Sequence, residues 1–492
     1  ADPLWPDEMS LYLNILRRSF TELFQILDDN QTAPPLFCVI SKIITELFGY
    51  KNVLYIRLPS IAAGCGAVCL FFLLLKKCFQ NKIAIAAALF LLSVNISLIY
   101  YSKEFKTYSL DTFITIFLLF MYDKINIEKS RNFIFWAACF FILPFFSYTS
   151  LIIIFSVITL KFLDLVKNAE TKKSSYIKLF LYYIIMFSAA LILFCIKYKQ
   201  YDFQAVYWTS YGGFLNFSYS SFIDLNVHFF QYMHVYSKFA CILLCAGCLY
   251  AFFSGNSIMR LSLVCLAACY TASFFKIYPF RERLSMFLIP VFIMLIFAAF
   301  NIKESAFAGI WSRKGIKALK YACCIAAAYY FFISINISED LAAVLGKNYE
   351  KMSIMQAPED RILSLQDARK ILNEYKSGEQ ILVNCSFFDI YLDYADIIDN
   401  YHKNIAKINL IFYWNDIYTL DADIFEKILS ELNIKGNFWI IIDAYDKTGE
   451  YTDKFNGIIK EAIERLGLKY RIYVLANRPY AYYILQDNTA EN

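Results

Sequence analysis

The chain has 492 residues, of which 59% are hydrophobic, 19% aromatic and 18% charged, with a formal net charge of +5. Soluble domains are ordinarily about half apolar, so a wholly soluble protein is excluded, and so slight a charge without a basic tract excludes a surface built for nucleic acid. The apolar residues form long runs up to about residue 336 and thin out beyond it, which predicts a membrane domain over 1–336 and a soluble domain over 337–492.

The first element opens on ADPLWPDEMSLYLNI. Asp7 and Glu8 follow Pro6 at a helix start, where the dipole favours acids whatever else they do. The first residue is Ala1 rather than Met, so a cleaved signal or a first membrane helix is expected upstream. Residues 34–48 begin at Pro34-Pro35 and are too short to span. They predict a helix lying in, or dipping into, the membrane interface.

A spanning helix needs about 20 apolar residues. The segments 57–76, 82–101, 107–122, 132–146, 148–164, 177–197, 236–254, 259–277, 284–300 and 318–336 approach that length, about ten visible spans, with 132–164 broken at Pro144 and Ser147. Lysine and arginine collect at Lys76, Lys77 and Lys82, at Lys124, Lys129 and Arg131, at Lys161, Lys167, Lys172 and Lys173, and at Arg313, Lys314, Lys317 and Lys320. If those loops face the cytoplasm, the outer face receives 1–56, 102–106, 198–235, 277–283 and everything after 336.

In the tail, SLQDARKILNEYKSG predicts a helix capped by Ser364 and stopped at Gly378. EQILVNC and NFWIIIDAY predict buried strands, with helical patterns at 387–401, 421–433 and 453–466 around them. Strands alternating with helices predict a small α/β domain, extracytoplasmic under the orientation above. Nearly all of the 14 cysteines lie in apolar runs and behave as small hydrophobes. The pairs Cys241/Cys245 and Cys265/Cys269 mark helix faces rather than a metal site. Cys385, alone in the tail, has no disulfide partner there.

The unusual residues share the predicted outer face. Asp7 and Glu8 are candidate proton acceptors. Lys103, Glu104 and Lys106 crowd one short loop, where a self-neutralising, snorkelling cluster is the simpler reading. Lys276, Arg281 and Arg283 crowd another against the positive-inside bias, as cations holding a phosphate would. Residues 201–233 carry Tyr207, Trp208 and Tyr211 ahead of Gly212-Gly213, which fits an acceptor-binding lid as well as an interfacial aromatic belt. His228 and His234 lack a third clustered ligand for zinc. Acids and cations facing one compartment are what transfer from a lipid-phosphate donor requires: a carboxylate to take the proton of a hydroxyl and cations for the charge growing on the departing phosphate.

The succession WPDE, APPLF, IRLPSIAAG, YYSKEFKTYSL and RERLSMFLIP resembles the GT-C fold membrane glycosyltransferases, in the branch similar to bacterial protein O-mannosyltransferases and aminoarabinose transferases. SGEQILVNCSFFDIYLDY is similar to the extracytoplasmic domain of many members. The resemblance implies a polyprenyl-phosphate sugar as donor, an inverting transfer, an acceptor that is a glycan, lipid or protein, and a place in a bacterial plasma membrane. It implies Asp7 as catalytic acid/base with Glu8 beside it, Glu104, Lys106 and Tyr108 as a Glu-x-Arg-x-Tyr-like pattern, and Arg281 and Arg283 near the donor phosphate. It leaves a divalent cation open. Two positions depart from the pattern: Ala33 stands where members often have His or Lys before the proline pair, and Lys106 stands for the arginine. The residues also leave open a catalytically inactive membrane anchor and a transporter of lipid-linked substrate, although the spans lack the midplane charges and repeat halves that transporters use.

Overall fold

The computed structural model describes residues 4–127, 129–167, 173–216, 218–232, 238–298, 300, 358–376, 379–384, 388–399, 406–409, 422–432, 437–442, 450–474 and 480–485. The chain divides into two compact units, Asn14–Met352 and Ala1–Leu13 with Ser353–Asn492. Helix α1 (Pro6–Arg17) contributes its first turns to the second of these and its last turn to the first.

The unit Asn14–Met352 is helical throughout its described residues: α2 (Pro35–Phe48), α3 (Val53–Cys78), α4 (Lys82–Ser93), α5 (Ile96–Ser102), α6 (Tyr108–Met121), α7 (Ser130–Ile142), α8 (Ser150–Lys167), α9 (Lys173–Ser210), α10 (Tyr219–Tyr232), α11 (Lys238–Phe253), α12 (Ser257–Phe274) and α13 (Ile289–Ala298). Local chemistry sets the starts. Pro35 opens α2, where a missing N–H costs nothing. Asn52, Asn81, Asn95 and Asn256 each accept first-turn N–H groups of the helix that follows. Asn95 also explains why 82–101 is not one rod: it caps α5 just after α4 ends, and the pair bends by 51°. The run 132–164 breaks where the sequence predicts, with a 3-10 turn at Leu143–Phe145 between α7 and α8.

Among the described residues, α3, α9 and α12 are long and apolar enough to cross a membrane, and α4 with α5 makes a fourth if the bent pair is one span. Helices α6, α7, α11 and α13 have 14, 13, 16 and 10 residues, short of the roughly 20 needed. Helix α8 reaches 18 but carries Lys161, Asp164 and Lys167. The segment 318–336, with the cations at 313–320, lies outside the described residues. Every residue of α13 is buried, as expected of a helix apolar all round. Gly247 lets α11 meet it backbone to backbone: a Cβ there would lie 1.7 Å from the Leu295 carbonyl oxygen. Helix α2 leaves Ile40, Ile43, Leu47 and Phe48 exposed, the apolar face expected of an interfacial helix.

The longest helix departs from its predicted span. Helix α9 has 38 residues, about 57 Å at 1.5 Å per residue, and does not stop at 197. Its buried stripe runs Leu179, Tyr182, Met186, Ala189, Leu193, then Lys197, Gln200 and Trp208, so the helical period persists while the chemistry turns polar. Three residue-to-residue hydrogen bonds stop it. The Tyr211 N–H reaches the Tyr207 carbonyl at 3.2 Å, Gly212 reaches Thr209 at 3.1 Å and Gly213 reaches Trp208 at 2.7 Å. Gly212 takes φ +63°, the left-handed cap position that glycine fills without strain. Gly212-Gly213, just past the predicted lid residues, marks the end of the helix.

In the other unit, a five-stranded sheet has the order β2-β1-β3-β5-β4, formed by β1 (Gln380–Asn384), β2 (Ala406–Asn409), β3 (Phe438–Ile442), β4 (Lys469–Val474) and β5 (Tyr480–Leu485). Strands β2, β1 and β3 are parallel; β5 runs antiparallel to β3 and to β4. Helices α14 (Pro358–Glu374), α15 (Phe388–Ile398), α16 (Ala422–Glu431) and α17 (Glu450–Arg465) accompany the sheet. Leu382, Phe438, Ile440, Tyr482 and Ile484 pack with Phe425, Leu429, Ile459 and Ile463 of α16 and α17. Ile381, Trp439, Ile441 and Ala481 are buried too, so both faces are covered. Helix α14 starts six residues before Ser364, at Pro358, because a proline followed by Glu359 and Asp360 is itself a helix-start signal.

Candidate functional site

The acidic pair splits. Trp5 precedes the first turn of α1, and its N–H donates to Glu8 Oε2 at 3.2 Å. That is the reciprocal half of a capping box, with Glu8 fully buried. Asp7 is half-buried. Glu8 therefore has a structural task at the helix start, where the sequence places both acids.

In the Asn14–Met352 unit, three of the segments that carry the resemblance meet the turn between α5 and α6, which belongs to a fourth, YYSKEFKTYSL. The turn is tight, with the Lys106 N–H bonding the Glu104 carbonyl at 2.9 Å. Glu104, Phe105 and Lys106 are all buried. From APPLF, Phe37 stacks on Phe105 with ring centroids 5.4 Å apart. From IRLPSIAAG, the Ser60 hydroxyl donates to the Lys106 carbonyl at 2.7 Å, and Gly64 lies where a Cβ would come 2.8 Å from Ser102 Cβ. From RERLSMFLIP, the Arg283 guanidinium carbon stands 6.0 Å from the centre of the Tyr108 ring. Tyr108 meets Tyr101 edge to face at 5.0 Å. Lys103 leans over Tyr100 at 5.9 Å.

Lys106 Nζ donates to Gln31 Oε1 at 2.9 Å, in the loop between α1 and α2. Tyr148 fixes the same loop by donating to the Ala33 carbonyl at 3.0 Å. Lys197 and Gln200 fix it from α9: Lys197 Nζ donates to the Gln25 carbonyl, and Gln200 Nε2 donates to the carbonyls of Leu27 at 3.2 Å and Gln31 at 2.6 Å. Cys38, one turn into α2, lies in the field of both Lys197 and Lys106; burial still pushes its thiol up to about 12. Asp111, in the first turn of α6, is buried and accepts from Ser147 Oγ at 2.5 Å and Thr107 Oγ1 at 3.4 Å. Tyr278 is held well above the usual phenol range, first by burial and then by the charge of Asp111, and donates to the Leu284 carbonyl at 2.9 Å.

The predicted lid residues sit on the last turn of α9 and just past it. Tyr207 packs against Tyr211 with centroids 4.6 Å apart, Trp208 is buried, and Tyr207 and Tyr211 are exposed. Arg281 donates through Nη1 to the Tyr211 carbonyl, and the Phe280 N–H bonds the Gly213 carbonyl at 2.9 Å. The structure thus joins Arg281 to the aromatic end of α9 and Arg283 to Tyr108.

Lys276 lies just past α12. It is exposed and takes φ +57° in the cap of α12, a position where glycine relieves about 1 kcal/mol of strain. Lys276→Gly is expected to raise thermal stability slightly and leave donor affinity unchanged; a fall in affinity would restore Lys276 to the phosphate-holding set.

Gln31, Asp111, Lys197 and Gln200 are absent from the residues singled out in the sequence. Lys197 and Gln200 had a signal: they stand four and seven residues past Leu193 on the apolar stripe of α9. His234 and the side chain of His228 lie outside the described residues. Among the described residues no three His, Cys, Asp or Glu side chains gather as metal ligands.

The described helices hold the loop between α1 and α2, the 104–108 turn and Arg283 through the contacts above, in a fold that solved structures share. In particular the fold is similar to that of ArnT from Cupriavidus metallidurans. The apo-state structure is 10% identical, covers 98% of this chain and 93% of its own, and has a TM-score of 0.52. The structure bound to undecaprenyl phosphate is 10% identical, covers 98% and 94%, and has a TM-score of 0.51. No family model matches the chain, and no curated protein matches its sequence.

Proposed function

We propose that this protein is a glycosyltransferase of the GT-C type, moving a sugar from a polyprenyl-phosphate donor to an acceptor hydroxyl at the non-cytoplasmic face of a bacterial plasma membrane. The observation that carries the reading is the meeting of three resemblance-bearing segments at Glu104–Tyr108, part of a fourth, with Lys106 within it and Arg283 beside it, in a fold similar to that of a protein with undecaprenyl phosphate bound. The chain crosses the membrane about ten times, with its sheet-bearing part outside.

In the reaction, Asp7 takes the proton of the acceptor hydroxyl as its oxygen bonds to the anomeric carbon. The bond from that carbon to the phosphate oxygen breaks, and polyprenyl phosphate leaves with the electron pair. Attack opposite the leaving group inverts the centre. Lys103, Lys106, Arg281 and Arg283 supply positive charge for the phosphate, worth most where water is excluded. Glu104 and Tyr108 shape the donor pocket, and Tyr207 and Tyr211 offer aromatic faces to an acceptor ring. Lipid mass spectrometry on the purified full-length protein tests this. A co-purifying polyprenyl phosphate or its sugar ester is expected; a protein that carries neither and does not take up added polyprenyl phosphate would refute the reading.

A further inference from the structure

We propose that Lys197 is a further phosphate-holding residue of this site, and that Lys197 and Gln200 together receive the glycosyl-phosphate portion of the donor. The inference rests on the reading above and adds two residues that neither the resemblance nor the outer-loop charges assign.

Lys197 is 3% exposed. A buried ammonium is stable only when paired or well hydrogen-bonded, and an ionisable residue on a membrane helix ordinarily marks a substrate path. No carboxylate pairs with it among the described residues; the charged or ionisable groups whose fields reach it are Cys38 and Arg18. Of its three N–H donors, one is spent on the Gln25 carbonyl. Among the described residues the site therefore holds a positive charge without an anion to balance it.

Gln200 supplies an independent observation. It is 2% exposed, and its Nε2 is fully used by Leu27 and Gln31. Its Oε1 is buried and has no hydrogen-bond donor among the described residues. An amide oxygen left so costs free energy until a donor arrives. Three residues apart on a helix, the two side chains are neighbours on one face. They offer one cation and one acceptor, matching a phosphate oxygen and a sugar hydroxyl. The loop they hold is the loop whose Gln31 side chain receives Lys106, so the pair borders the convergence point.

The competing explanation is that Lys197 only pins the loop through Gln25. Binding of a short-chain polyprenyl phosphate to full-length wild-type, Lys197→Gln and Lys197→Arg proteins, with thermal melts of each, separates the two. Loss of a charge-assisted contact predicts binding weaker by about tenfold or more in Lys197→Gln, with Lys197→Arg close to wild type. Unchanged binding in Lys197→Gln overturns the assignment and leaves the proposed function standing. Equal losses of binding and melting temperature in both variants also overturn it, since the role is then loop-pinning. A wild-type protein that binds no polyprenyl phosphate removes the proposed function and this inference together. Inorganic phosphate is the second probe: a lipid headgroup site prefers the polyprenyl ester, and equal affinity for both overturns the lipid assignment in favour of free phosphate.

Discussion

Asp7→Asn is expected to lower the turnover of sugar transfer by about 10²–10⁴-fold, the usual contribution of a positioned general base, without unfolding the protein. Asparagine keeps the size of the side chain and removes only its basicity. The lost attraction between a carboxylate and the helix N-terminus costs about 0.3–1 kcal/mol. Glu8→Gln is the necessary companion, because the sequence offers two adjacent carboxylates and the structure gives them different tasks. Glu8 accepts the Trp5 N–H and is fully buried, and a glutamine oxygen can accept the same bond. Turnover with a lipid-linked sugar should therefore collapse in Asp7→Asn and largely survive in Glu8→Gln. The opposite pattern would make Glu8 the base, and full activity in both would leave the transfer without a carboxylate at this position.

Residue type and spacing made much of the local structure legible. Asparagine before an apolar run marks the starts of α3, α4, α5 and α12, and a proline pair marks α2. Strands β1 and β3 appear as uninterrupted aliphatic runs because they are central and buried on both faces. Strand β2 is four residues, AKIN, too short to show a period, and β4 and β5 mix charges and tyrosines. Helix α9 shows the limit most clearly. Averaged hydropathy stops it near 197, where Lys197, Lys199 and Asp202 enter, yet its buried stripe keeps the helical period through Gln200 and Trp208. An average counts all faces equally, and burial follows one.

The candidate site was legible as separate pieces. WPDE, the 104–108 turn and the 281–283 arginines each drew notice as charge out of place. What joined the 104–108 turn and helix α9 to the loop between α1 and α2 was invisible, because it depends on Gln31, 75 residues from Lys106, and Gln200, 169 residues from Gln31. Neither glutamine is unusual by type. Their importance comes from distant partners, the Lys106 ammonium for Gln31 and the Leu27 and Gln31 carbonyls for the buried Gln200, which no local pattern reveals. The same holds for Asp111, which looks like a helix-start acid until Ser147 appears beside it from the break between α7 and α8.

Lys106 separates a catalytic cation from a structural one most sharply. Lys106→Met is expected to reduce turnover by about 10²–10³-fold, the loss seen when one preorganised donor is taken from a developing negative charge. Lys106→Arg should retain most of the rate, since a guanidinium offers a phosphate two parallel donors. The difficulty is that Lys106 also donates to Gln31 Oε1, so its removal alone does not separate charge from loop-holding. Gln31→Ala resolves this. If Lys106 acts only by fixing the loop, Gln31→Ala will reproduce the whole loss, and the Lys106→Met/Gln31→Ala double variant will be no worse than either single one. If Lys106 faces the donor phosphate, Gln31→Ala will cost little in turnover and the double variant will track Lys106→Met. The hydrogen bond from the Ser60 hydroxyl to the Lys106 carbonyl is untouched by all of these changes, so the turn keeps its anchor while the ammonium is removed, and the rates report on the charge.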